Sequence, residues 1–98
     1  MIERYVFLKL TEAAATPEGR RQVAERAREL GQVAGVASLH VGLPADAAAD
    51  GAWDVSLRVC FESTEALERY REDALHRRFV DEYLTPRLQV LKAWSFEV

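Results

Sequence analysis

Few side chains in this sequence can exchange a proton or attack a substrate near neutral pH: His40, His76, Cys60 and the tyrosines Tyr5, Tyr70 and Tyr83. His76 follows Glu72 and Asp73 at i−4 and i−3, and either carboxylate would orient an imidazole and raise its basicity. Tyr70 stands six residues before His76. In an unbroken helix that separation leaves two side chains about 240° apart, so they face one cleft only if the helical region turns between them. The plainer alternative is a solvent-facing histidine in weak charge pairs with its own helix. His40 alternates with Leu39 and Val41 and has no carboxylate or nucleophile at a motif spacing, which makes it a seam or surface residue. Cys60 has no Cys-x-x-Cys neighbour, and Arg58 alone is a weak activator of a thiol, so it reads as packing.

Other chemistries lack their residues. Two histidines and one cysteine, with no His-x-x-x-His, do not supply the ligands of a zinc site, and no metal or other cofactor is expected. There is no glycine-rich phosphate loop, dinucleotide fingerprint or Gly-x-Ser-x-Gly elbow.

The elements that must position Tyr70 and His76 follow from apolar spacing. Ile2 to Leu10 is a strand, with Val6, Leu8 and Leu10 on one face and Tyr5, Phe7 and Lys9 on the other. Thr16-Pro17 has the form of a helix start, and Val23, Ala27 and Leu30 give an apolar stripe to about Val33. Val36 to Leu43 is a second strand, with Ala37, Leu39, Val41 and Leu43 set against Val36, Ser38, His40 and Gly42. Pro44 to Ala52 has the composition of a mobile loop. Trp53, Val55, Leu57, Val59 and Phe61 share one face of a third strand, opposite Asp54, Ser56, Arg58, Cys60 and Glu62. Ser63 caps a helix that carries Leu67 and Tyr70 inward. A second helical piece runs from Leu75 to Leu84 and ends at Pro86, and Val90 to Val98 is the last strand. The order predicts an α+β, ferredoxin-like βαββαβ protomer, a four-stranded antiparallel sheet with helices on one face.

Composition sets the surroundings. Ninety-eight residues allow one domain, residues 1–98, and 49% apolar with 30% charged residues is the balance of a soluble globular chain without membrane spans. Thirteen Lys plus Arg against sixteen Asp plus Glu leave a net charge of −3, which argues against nucleic acid as a partner. A lone thiol and an amino terminus without an apolar h-region point to the cytoplasm. A sheet covered on one side only would expose apolar residues of the first and third strands, and a second copy is the simplest cover, so a homodimer through the sheet faces is expected.

Taken in order, Tyr5-Val6-Phe7-Leu8-Lys9-Leu10, Trp53 to Ser63, Ala66-Leu67-Glu68-Arg69-Tyr70 running on to His76, and Trp94-Ser95-Phe96-Glu97-Val98 make the chain resemble the stress-responsive A/B barrel (Dabb) family of the dimeric α+β barrel superfamily. The resemblance spans nearly the whole chain. It implies a dimeric α+β barrel with a cavity between sheet and helices, open to a small apolar or carbonyl ligand. In the polyketide-cyclase branch a tyrosine and a histidine lining the cavity promote ring closure, and Tyr70 and His76 resemble that pair, with His76 as base and Tyr70 as donor to the developing enolate. The histidine usual in the first strand is Tyr5 here, and of the usual His-Pro-x-His turn only His76 remains. The thin catalytic set favours a non-catalytic, homodimeric small-molecule-binding or stress-associated protein. The alternative is a polyketide-cyclase-like lyase or isomerase, and a monooxygenase-like member of the superfamily is a weaker third.

Overall fold

The computed structural model describes residues 1–98. Four strands, β1 (Ile2–Leu10), β2 (Val36–Gly42), β3 (Val55–Phe61) and β4 (Leu88–Glu97), form one antiparallel sheet in the order β2-β3-β1-β4. Helices α1 (Pro17–Arg28), α3 (Thr64–Glu72) and α4 (Ala74–Arg78) cover one face, and α2 (Ala47–Ala52) lies in the connection between β2 and β3. This is the ferredoxin-like arrangement expected from the order of elements.

The central strand β3 carries the core because its inward positions are apolar without interruption from residue 55 to residue 61. Val55, Leu57, Val59 and Phe61 are buried against Leu8 and Leu10 of β1 and Val23, Ala24 and Ala27 of α1. Each branched or aromatic side chain so enclosed contributes about 1.5–3 kcal/mol. The α1 helix starts as its sequence indicates: Thr16 Oγ1 accepts from the Gly19 amide at 3.0 Å, and Pro17 occupies the first helical position. It ends at Arg28, and Glu29–Gln32 tighten into a 3-10 turn that buries Leu30. Gly35 then takes φ +93°, a left-handed conformation open to glycine, and packs against Ala66.

Three expectations, one from composition and two from alternation, fail locally. Pro44 to Ala52 is not wholly loop, because Ala47–Ala52 is helical. Alanine needs no apolar partner to favour a helix, and Asp46 caps this one by accepting from the Ala49 amide at 2.9 Å. In β2 a bulge at Ala37 sets two residues against Cys60, so Val36 as well as Leu39 turns inward while Ala37 is exposed. Trp53 does not share a face with Val55, for it lies beside Phe7 on the uncovered side, with ring centroids 5.8 Å apart. Asp54 turns inward and is 4% exposed. Its carboxylate accepts from the Leu10 amide at 2.7 Å and from Arg20 Nε at 2.8 Å, which ties α1 to the end of β1 and offsets the burial of the charge.

The face away from the helices is aromatic. Tyr5 and Phe7 of β1 meet Phe96 and Trp94 of β4 at ring separations of 6.0 and 6.3 Å, and Trp94 and Phe96 are 51% and 55% exposed. Cys60 is buried at this face with Sγ 3.9 Å from Glu3 Oε2, and the other oxygen of Glu3 accepts from the Tyr5 hydroxyl at 2.5 Å. His40 is exposed on the same face, opposite Arg58. No helix is long and apolar enough to cross a membrane.

Candidate functional site

Tyr70 enters the interior from the last turn of α3, which Ser63 opens by accepting from the Ala66 amide. The helix stops two residues later. Asp73 adopts ψ 138°, which carries the backbone out of the helix for one residue, while its Oδ1 accepts from the Leu75 amide at 2.9 Å and starts α4. The direction of the chain changes there, and His76 swings back until its ring lies 4.3 Å from that of Tyr70, at 44°. Continuous helix would have kept them apart.

His76 is half-buried, not solvent-facing. Its Nδ1 lies 3.3 Å from the carbonyl oxygen of Arg71, which can only accept, so that nitrogen carries the proton and Nε2 the lone pair. Neither Glu72 nor Asp73 holds the imidazole: Asp73 is committed to capping α4, and the backbone carbonyl takes the orienting role instead. Burial lowers the His76 pKa below 6.5, against the hydrogen bond to Arg71 that raises it, and the charge of Arg4 lowers it further. Tyr70 is 3% exposed, with its ring 5.0 Å from that of Phe61, and burial pushes its hydroxyl up to about 12. At neutral pH the pair is therefore a neutral imidazole with a free lone pair beside a phenol that keeps its proton and has it to donate in a hydrogen bond.

Both residues line a cavity of about 370 Å³ between the sheet and the helices, near the small end of ordinary ligand sites. Its wall is mostly apolar, with Val6, Leu57, Phe79, Val80, Leu84 and Leu91 contributing. Phe79–Leu84 is π-helical, a widened turn that sets Phe79, Val80 and Leu84 along one wall. The charged lining is Arg4, Arg71, Arg77 and Asp81.

Tyr5, the residue standing where the first-strand histidine was expected, does not reach this cavity. It belongs to the aromatic face, and β1 presents its neighbour Arg4 instead. That arginine was overlooked in the sequence although it had a signal: counting back by twos from Leu8 through Val6 puts a charge on the inward face. Arg71, Arg77 and Asp81 had none beyond their helical neighbourhood. His, Cys, Asp and Glu side chains do not gather in any group of three that could hold a metal ion.

A βαββαβ sheet with a helix-roofed cavity defines a ferredoxin-like α+β protein. The profile of the stress responsive A/B barrel domain matches residues 2–98, and the chain belongs to that family. The fold is shared with an Arabidopsis thaliana protein (TM-score 0.84, 15% identity, covering 100% of this chain and 95% of that one). A Dabb family protein with a ferredoxin-like fold from Mesorhizobium loti superposes with a TM-score of 0.80 at 18% identity, over 99% of this chain and 95% of that one. A dimeric ferredoxin-like protein of unknown function from Thermobifida fusca gives 0.84 at 18% identity, over 99% and 90%. None of the curated proteins matches the sequence.

Proposed function

We propose that this chain is a homodimeric, cytoplasmic small-molecule-binding domain, folded as one unit over residues 1–98, whose ligand enters the cavity between sheet and helices. The supporting observation is the composition of that cavity: an apolar wall around about 370 Å³ with Tyr70 and His76 in ring contact at its polar end. The homodimer is supported by the uncovered aromatic face, because a contiguous apolar patch of this kind is rare on monomers, and by the dimeric Thermobifida fusca relative.

A neutral probe tests the pocket itself. Titration with 1-octanol should shift amide resonances around Tyr70, His76 and Val80, and Val80→Trp, which fills the cavity, should remove those shifts while the far-ultraviolet circular dichroism stays unchanged. Shifts confined to the aromatic sheet face, or identical in Val80→Trp, would refute the pocket.

The contact between Tyr70 and His76 favours a second reading, a lyase or isomerase of the polyketide-cyclase type. Nε2 of His76 would take a proton next to a carbonyl while the Tyr70 hydroxyl donates to the enolate oxygen. Turnover of a linear β-polyketone that disappears in His76→Ala and persists in Arg28→Ala would establish it; absence of turnover across such substrates leaves binding as the function.

A further inference from the structure

Arg4 is a half-buried cation that the chain leaves without a counter-charge. It lies in a central strand on the helix-covered face, it forms no ion pair, and its one hydrogen bond is from Nη1 to the Ser95 hydroxyl at 3.1 Å. Its charged neighbour across the cavity is another arginine, Arg71, and burial together with that like charge lowers its pKa. Arg77 lines the same space, and the sole carboxylate there, Asp81, lies 3.9 Å from Arg77. Three positive side chains against one negative, in a chain whose net charge is −3, concentrate positive charge at this one place.

Resting on the reading of the cavity as a ligand site, we infer that its ligand is an apolar molecule bearing a carboxylate, held by the Arg4 guanidinium with the alkyl or aryl body along Val6, Leu84 and Leu91. A guanidinium offers a planar fork of donors that matches a carboxylate, and the pairing is strongest where water is scarce. The Tyr70 hydroxyl makes no hydrogen bond within the chain, and it supplies a further donor at the same end of the cavity. A carboxylate fits better than a phosphate because the cavity holds one half-buried arginine and an apolar wall, without the glycine-rich backbone nest that phosphates take.

Octanoate and 1-octanol separate charge from shape, since they share a chain length and differ at the head. By amide-shift titration octanoate should bind at least about tenfold more tightly than 1-octanol, the worth of one charge-assisted hydrogen bond. Added salt should narrow the gap. The net negative charge of the chain works against such a preference, so it must arise locally. Arg4→Met should abolish the preference and leave 1-octanol affinity unchanged, and Arg4→Lys, which retains the charge without the fork, should keep part of it. Equal affinity of the wild type for both probes, or a preference that survives in a folded Arg4→Met or fails to respond to either variant, would overturn the carboxylate while leaving the cavity intact. Binding of neither probe would sink the cavity and the carboxylate together.

Discussion

The imidazole of His76 rests 4.3 Å from the ring of Tyr70 and gives its Nδ1 proton to the Arg71 carbonyl, two contacts that leave Nε2 as the nitrogen without a partner in the chain. Both depend on the one-residue interruption at Asp73, whose carboxylate caps the next helix. Geometry at this corner and protonation at the site are consequently one property.

Tyr70→Phe should leave stability within about 1 kcal/mol of the wild type, because the hydroxyl has no partner in the chain to lose. Tyr70→Ala removes a 3% exposed ring packed on Phe61 and should cost about 3–5 kcal/mol. Urea unfolding of the two variants measures the difference, and equal losses would mean that the hydroxyl is structural.

His76 makes stability depend on pH with a definite sign. Its folded pKa lies below 6.5, so between the two values the unfolded chain binds more protons than the folded one. The neutral ring is accommodated fully above 6.5, and stability is lost as the pH falls from there toward the folded pKa. Urea midpoints at pH 7 and pH 5 should fall less in His76→Gln than in the wild type. A larger fall in the variant would reverse the assignment.

Asp54 was placed on the outer face of its strand by simple alternation, and it is instead the buried anchor of α1. Asp54→Ala leaves the buried Leu10 amide unpaired and Arg20 with only its exposed partner, and should destabilise by about 1–3 kcal/mol. Asp50 also pairs with Arg20, at 2.5 Å, but it is 60% exposed, so Asp50→Ala should cost less than about 1 kcal/mol. Thermal unfolding of the two variants should show a gap between them.

Trp94→Asp together with Phe96→Glu should give a folded monomer by light scattering, and the wild type should give twice the chain mass, because both rings stand open on the aromatic face. A dimer that persists would place the interface elsewhere.

What the sequence disclosed follows from which forces are periodic. The strands and α1 were legible because burial recurs every second or every third and fourth residue, and even the break before His76 showed, as a second helical piece starting at Leu75. Alternation failed at Ala37 and Trp53, where a bulge and a chain entry reset the parity. The short helix Ala47–Ala52 was missed because its order comes from a cap and alanine propensity, with no apolar stripe to read. At the site, Tyr70 and His76 were nameable as a pair, but the partner of the imidazole was a backbone carbonyl, which no residue letter reveals.

The tie from Asp54 to Arg20 and Leu10 closes one end of β1, and Arg4 lies six residues away, roughly 20 Å along the strand. The two ends of that strand are thus under separate obligations. Residues around the tie answer to folding, whereas Arg4, Arg71 and Arg77 have few contacts on which the fold depends, so mutation can exchange them at little thermodynamic risk. On the reading of this cavity as a ligand site, such a protein is free to drift from one ligand to another while its architecture stands still, which is how a single scaffold comes to serve unrelated chemistries at one and the same cleft.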